Sequence, residues 1–159
     1  MNPTLSPEAL LLDLTEIPEE KLEVFARQKF RELCIDSNGR GMHQCHDGEA
    51  VVIWESRFEH AFFKPENWKD TSQKQVLDRS RIQRTAWIVP LIGGEFQNSE
   101  CWLINERGRL KRMYTIRGTG YVVWLEFKYE GLWTFSTGYV ANTGYIYKQT
   151  RGQKRIWKK

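Results

Sequence analysis

The first half of the chain has the hydrophobic spacing of helices. After Pro18, apolar residues recur at near-helical intervals, which predicts an amphipathic helix that ends at the turn residues 36–39. A shorter helix is predicted after Ser6, because the Pro7 that follows suits a first helical position. Residues 39–48 have the composition of a loop, and Ala50–Trp54 is an apolar run that fits either a strand or a buried piece of helix.

A third helix is predicted before the middle of the chain. Ser72 with Gln75 three residues later resembles a capping box. Pro90 and the two glycines that follow it are expected to end or kink this helix. Its buried side is predicted to contain Val76, Leu77, Ile82, Thr85 and Ile88 or Val89.

The second half of the chain changes to the pattern of strands. Four segments are rich in β-branched and aromatic residues, at 101–105, 110–116, 121–128 and Leu132–Val140. Glycine-containing turns separate them, including a hairpin turn at 130–131 and a turn at 142–144. We therefore predict an α+β fold with N-terminal helices followed by a four- to five-stranded antiparallel sheet. Residues 1–45 would form a helical segment that packs on the domain formed by 46–159.

The composition excludes several classes of protein. The chain has 159 residues, of which 13% are aromatic, and this is too hydrophobic for a disordered chain. It has no apolar run long enough for a membrane span and no export signal, so we expect no membrane partner and a cytoplasmic location. Cys34, Cys45 and Cys101 are expected to be inert thiols, because three irregularly spaced cysteines do not make a disulfide scaffold.

The net charge of +4 conceals three basic clusters. One is the helix face formed by Lys74, Arg79, Arg81 and Arg84. The second lies within 107–117 and the third within 148–159, and neither range contains an acid. Such clusters attract phosphate backbones without regard to base sequence, although a solvated surface that keeps a domain soluble has the same appearance.

Two groups of residues have candidate chemistry. Cys34, His43, Cys45 and His46 are potential metal ligands, but their spacing is a weak match to known zinc patterns, so we predict no metal. The other group is His60 as an acid or base, Arg81 and Arg84 on one helix face, and Thr137 with Tyr139 on one face of a strand. Each of these residues has an ordinary structural explanation as well: a packed histidine, a solvated helix surface, and residues that strands favour.

The order of these elements resembles a known family, the phage- and mobile-element-encoded RNases of the Barnase–EndoU–colicin–RelE (BECR) superfamily. The resemblance rests on the aromatic segment HAFF at 60–63, the helical pattern RIQRTAWI at 81–88 and the Thr-x-Tyr element at 137–139. It covers roughly residues 50–157, which include the basic tail, and leaves the first ~45 residues outside.

The resemblance implies a metal-independent endoribonuclease that needs no cofactor and cleaves RNA through attack by the 2′-OH. His60 would be the acid or base, Arg81 and Arg84 would hold the phosphate, and Thr137 and Tyr139 would position it. Glu59 and Glu126 are only candidates for a carboxylate partner of the histidine, which departs from the barnase pattern. The basic residues assigned to nucleic-acid binding are Lys64, Arg112, Arg117, Lys154 and Arg155.

The expected partners are RNA, with tRNA as one candidate, and an inhibitor or antitoxin protein. A non-catalytic module on the same fold, which binds nucleic acid or acts as a toxin or interaction domain, is the alternative, because the basic clusters and the aromatic residues support it equally well.

Overall fold

In a computed structural model, the described residues, 5–65 and 74–159, form five α-helices and nine β-strands. The helices are α1 (Leu22–Cys34), α2 (Phe58–Phe62), α3 (Arg79–Gln83), α4 (Ile88–Ile92) and α5 (Thr143–Thr150). Single 3₁₀ turns cover Glu8–Leu10, Glu19–Lys21, Glu55–Arg57 and Thr85–Trp87. The strands are β1 (Arg40–Gln44), β2 (Ala50–Trp54), β3 (Phe63–Pro65), β4 (Lys74–Leu77), β5 (Ser99–Glu106), β6 (Arg109–Ile116), β7 (Tyr121–Tyr129), β8 (Leu132–Val140) and β9 (Lys154–Lys158).

Seven of these strands form one mixed sheet in the spatial order β1-β2-β8-β7-β6-β5-β9. β2 runs parallel to β8, with Ala50 opposite Leu132, and the other neighbouring strands in this sheet are antiparallel. β3 and β4 form a separate two-stranded antiparallel sheet. The sheet therefore extends the predicted meander of β5–β8 on both sides.

The protein is α+β, but the predicted four- to five-stranded antiparallel sheet of the BECR type is wrong. The additional strands are β1, β2 and β9. β1 lies in the segment that we expected to be a loop, and β9 lies in the basic tail. Both are edge strands, which are half solvated and carry polar residues, so their sequences lack the apolar pattern that predicts a strand. The pairing of β2 with β8 joins segments far apart in sequence, which local patterns cannot reveal.

The helices α1–α4 and the N-terminal segment cover one face of the sheet, which we call the core face. One buried apolar cluster joins Leu14 and Phe30 of the N-terminal segment to Leu91 of α4 and to Val123 and Phe135 of the sheet. The opposite face, which we call the α5 face, has a smaller buried cluster formed by Ile104, Met113, Val122 and Trp124. Tyr145 and Ile146 of α5 pack against this second cluster.

The helix predicted after Ser72 begins later than expected. Ser72 lies outside the described residues, and Lys74–Leu77 is the strand β4. Asp78 is the residue that caps the helix, since its Oδ1 accepts from the backbone N–H groups of Ser80 and Arg81 at 3.0 and 3.4 Å. The polypeptide then continues through α3 and the Thr85–Trp87 turn into α4.

The end of this helical region and the C-terminal turn also differ from the prediction. Pro90 lies inside α4, where its missing N–H falls in the first turn and removes no helical hydrogen bond. Gly94, with φ of +73°, ends the helix. The turn expected at 142–144 is the start of α5, because Asn142 Oδ1 accepts from the Tyr145 backbone N–H at 2.7 Å.

Candidate functional site

Strand β8 pairs with β2 over only part of its length. β2 reaches residues 132–134, and in the described part of the chain no strand pairs with residues 135–140 on that side. The Glu55–Arg57 turn, α2 and α3 pack along this open edge instead. Side chains from three separate segments therefore meet at one stretch of β8.

A β-bulge determines which residues of β8 share a face. The register shifts between the Trp124–Thr137 pair and the Leu125–Phe135 pair, so Ser136 is the extra residue. Beyond the bulge, Tyr139 lies opposite Val122. Since cross-strand partners share a face, Thr137 and Tyr139 lie on the α5 face.

Arg81 connects α3 to this edge. Its Nε donates to Asp78 Oδ2 at 3.1 Å, and its Nη1 donates to the carbonyl oxygens of Ala61 and Phe63 at 3.2 and 3.3 Å. Its Cζ lies 5.2 Å from the centre of the Tyr139 ring. The guanidinium is thus held over an aromatic face by protein acceptors and is only partly open to solvent.

Thr137 and Tyr139 differ in how their hydroxyls are satisfied. Thr137 Oγ1 is buried and has no hydrogen-bond partner among the described residues. Tyr139 accepts a hydrogen bond from Trp124 Nε1 at 3.0 Å and is hydrogen-bonded to the Tyr145 hydroxyl. Burial and the Tyr139 hydroxyl raise the pKa of Tyr145, which keeps it protonated. A buried hydroxyl without a partner is costly, and among the described residues nothing offsets that cost at Thr137.

His60 and Lys64 lie on the segment that Arg81 binds. His60 is an exposed residue of α2, and the next residue, Ala61, supplies one of the carbonyls that accept from Arg81. Lys64 is exposed on β3. His60 is therefore linked to Arg81 through one peptide unit, while Lys64 follows Phe63, whose carbonyl also accepts from Arg81.

Arg84 packs on its own helical turn. Its Nη1 donates to the Ser80 carbonyl and hydroxyl at 3.0 and 2.9 Å, and its Cζ lies 5.1 Å from the centre of the Trp87 ring. Burial raises the pKa of the Tyr121 hydroxyl, and the charges of Arg84 and Arg81 oppose that rise. The charges of both arginines thus act on Tyr121. Of the two, Arg81 is the one that stacks on Tyr139, a predicted site residue.

Arg112, assigned to nucleic-acid binding from its cluster, has a structural role instead. Its side chain is 6% exposed, and its Nη1 and Nη2 donate to Asp47 at 3.2 and 2.6 Å. Nη2 also donates to Glu49 at 2.9 Å, and Cζ lies 4.5 Å from the centre of the Trp133 ring. The guanidinium is therefore buried and already paired with two carboxylates, which argues against the predicted contact of Arg112 with nucleic acid.

Three other assigned residues lie at the far edge of the sheet. Arg117 and Arg155 each form an ion pair with Glu100 at 3.5 Å, and Lys154 is exposed at the start of β9. The strand order places β7, β6 and β5 between β8 and β9. The assigned basic residues consequently divide into separate surfaces rather than one.

The sequence analysis missed Arg57, which contacts β8 directly. Its Nη2 donates to the Ser136 hydroxyl at 3.1 Å and to the Ser136 carbonyl at 3.5 Å. Its Nε is buried and has no acceptor within the described residues. Arg57 and Ser136 are 79 residues apart, and no local motif marks either of them.

The cysteine and histidine group does not form a metal site. Among residues 5–65 and 74–159, no group of three or more His, Cys, Asp or Glu side chains could hold a metal ion. His43 Nε2 lies 2.7 Å from the Cys34 carbonyl oxygen and His46 Nδ1 lies 2.7 Å from the Tyr114 hydroxyl. Burial raises the pKa of Cys34 to about 12 and that of Cys45 to about 11, so both thiols stay protonated at neutral pH.

Comparison with known proteins assigns no family. No family model, no curated protein and no solved structure matches the chain. None of the helices in the described ranges combines the length and the apolar character needed to cross a membrane. The function is therefore argued from the side chains along β8.

Proposed function

We propose that the protein is a metal-independent endoribonuclease whose active site lies on the α5 face beside the open edge of β8. The observation that carries the proposal is the convergence of Arg81, Thr137 and Tyr139, with His60 on the short helix whose carbonyl Arg81 binds. This edge offers a cation, a buried hydroxyl without a partner and a nearby imidazole. In RNA cleavage at an internal phosphodiester an imidazole can act as the base, and a cation with a hydroxyl donor can stabilise the phosphoryl oxygens.

The proposed reaction is an internal transesterification. His60 takes the proton from a ribose 2′-OH, and the 2′ oxygen forms a bond to the adjacent phosphorus while the bond to the 5′ oxygen breaks. The leaving 5′ oxygen takes one proton from water, and His60 then returns the proton that it accepted to the hydroxide formed, so that no net proton is consumed. The products are a 2′,3′-cyclic phosphate and a new 5′-OH end.

Arg81 and Thr137 would act on the phosphoryl oxygens, where negative charge increases in the transition state. Arg81 is held in place by Asp78 and by two carbonyls, so its charge needs little reorganisation. Tyr139 carries the guanidinium on its ring and is itself fixed by Trp124 and Tyr145. Tyr139 is therefore a positioning residue in this proposal.

The test is cleavage of a labelled single-stranded RNA in the presence of EDTA. We expect cyclic-phosphate ends from the wild type, no cleavage of the same strand with 2′-O-methyl riboses, and a loss of at least about 100-fold in rate for His60→Ala. A melting curve of His60→Ala serves as the folding control, since the residue is exposed. Wild-type rates in the folded variant would remove His60 from the mechanism.

A second candidate is a non-catalytic module that binds single-stranded RNA on the α5 face. Three pairs of a cation above an aromatic ring favour it: Arg81 with Tyr139, Lys111 with Trp124 at 5.8 Å, and Arg155 with Trp102 at 5.9 Å. Salt-dependent binding without cyclic-phosphate products would favour this candidate over the enzyme.

A further inference from the structure

A cavity of about 350 Å³ lies on the α5 face beside the β-bulge of β8. Trp54, Arg57, Glu126, Lys128 and Thr134 are among the residues that line it. Trp54 is 40% exposed at the end of β2, which is unusual for a tryptophan next to a sheet core. The cavity combines an exposed indole with two cationic side chains, Arg57 and Lys128, and one carboxylate, Glu126, so it is polar and suits a nucleotide better than an apolar ligand.

Arg57 has unused hydrogen-bonding capacity next to this cavity. Among the described residues, the hydrogen bonds of its side chain are those from Nη2 to Ser136. Its Nε is buried and has no acceptor among those residues. The next residue of β8, Thr137, carries the buried hydroxyl that also has no partner. A guanidinium that lines an open cavity and, within the described part of the chain, makes hydrogen bonds only to one serine matches the oxygens of a phosphate.

The two arginines contact β8 at different points. Arg57 binds Ser136, and Arg81 stacks on Tyr139, so the two contact points are three positions apart on the strand, with Thr137 and Gly138 between them. At about 3.3 Å per residue the separation along the strand is about 10 Å, shortened by the bulge at Ser136. The two arginines thus contact one strand at two successive points beside one open edge, an arrangement that suits the backbone of a single RNA strand rather than one phosphate.

We propose that Arg57 binds a second phosphate of single-stranded RNA, next to the phosphate at Arg81 and Thr137, and that Trp54 stacks on the attached base. This subsite would lie beside the cleavage site. That its ligand is RNA rests on the proposed function. Arg57 supplies affinity through charge, and Trp54 supplies a stacking surface that accepts any base.

The experiment measures binding of a short fluorescent 2′-O-methyl RNA to the full chain over a range of salt concentrations. For Arg57→Gln we expect the slope of log affinity against log salt to fall by about 0.7, the value for one phosphate contact on a single strand. Arg57→Lys keeps the charge and should keep the slope. Lys21→Gln, at an exposed position of the Glu19–Lys21 turn and outside the three basic clusters, is the control and should leave the slope unchanged.

Trp54 is tested separately, because stacking does not depend on salt. Trp54→Ala should weaken binding by between about 5-fold and about 100-fold with an unchanged salt slope. Melting curves of every variant confirm that it is folded at the assay temperature. Equal slopes for Arg57→Gln and Lys21→Gln, or no salt-dependent binding by the wild type, would overturn the inference.

The outcome is distinguishable from failure of the proposed function, because a 2′-O-methyl strand has no attacking hydroxyl and binding is measured without cleavage. A wild type that leaves ordinary RNA intact, together with the expected slope change, removes the enzyme and keeps the subsite. Cleavage by the wild type with no slope change for Arg57→Gln keeps the enzyme and removes the subsite.

Discussion

Arg112 is predicted to be a structural anchor, and its replacement by methionine tests this directly. The guanidinium joins β6 to the turn between β1 and β2 through Asp47 and Glu49, and its Cζ lies 4.5 Å from the centre of the Trp133 ring. Methionine has a similar length and keeps much of the apolar contact, but it carries no charge and no donor. Arg112→Met therefore removes the ionic contacts with little change in volume.

The structure sets the expected magnitude. Breaking a buried ion pair by removing one partner costs about 3–5 kcal/mol, because the remaining charge loses its compensation. Here the carboxylates of Asp47 and Glu49 are 34% and 38% exposed, so water can hydrate them after Arg112 is gone. We therefore expect the lower end, a loss of about 3 kcal/mol in the free energy of unfolding, and a Tm lower by about 6–12 °C for a domain of this size.

The assay is urea unfolding followed by tryptophan fluorescence, repeated at several pH values. Arg109→Met is the matched control, since Arg109 lies on the same strand and is exposed, and it should change stability by less than about 0.5 kcal/mol. Burial opposes ionisation of Asp47, but hydrogen bonds from Arg112 prevail and lower the pKa of this carboxyl. The stability that this pair contributes is present above the unfolded pKa of about 3.9 and is lost as the pH falls through the lower folded value.

The difference between wild type and Arg112→Met should therefore shrink below about pH 4. A gap that stays constant into acid would mean that packing on Trp133, and not the ion pairs, supplies the stability. Equal stability of Arg112→Met and Arg109→Met would refute the anchor altogether.

Two further predictions concern the same sheet. A Cβ at Gly138 would lie 2.6 Å from the Tyr121 hydroxyl oxygen, so Gly138→Ala should cost about 1–3 kcal/mol in urea unfolding. The cost should be smaller in a Tyr121→Phe background, and an equal cost in both backgrounds would contradict the clash. Burial lowers the pKa of His46, so the wild type should lose stability as the pH falls below about 6.5 towards the folded value. The Tm of His46→Phe should not change with pH over that range. If the Tm of this variant falls with pH as much as that of the wild type, His46 is not the source of the effect.

The local elements that the sequence predicted well are those with strong short-range signals. The helix after Pro18 is present as α1, and the run of strands from residue 99 to 140 is present as β5–β8. The hairpin between β7 and β8 lies where Glu130 and Gly131 predict it. Periodic apolar residues and a glycine at positive φ act within a few residues, so a single sequence reveals them.

The candidate site was predictable only in part. Thr137 and Tyr139 share a face because strands alternate, and this follows from sequence alone. The contact of Arg81 with Tyr139 and the presence of Arg57 beside Ser136 depend on how the helices pack along the open edge of β8. No spacing rule links residues that lie 58 or more positions apart.

The sequence by itself determined an α+β chain with an amphipathic helix, a hairpin meander and basic clusters, because periodicity, turn chemistry and charge are local properties. The tertiary structure decided the number of strands, the parallel pairing of β2 with β8 and the different roles of the arginines. Arg112 and Arg57 are the same residue type in the sequence, but one is neutralised by two carboxylates and the other meets only a serine among the described residues. Burial and partners fix what a charge can do, and the long-range packing of the chain supplies both.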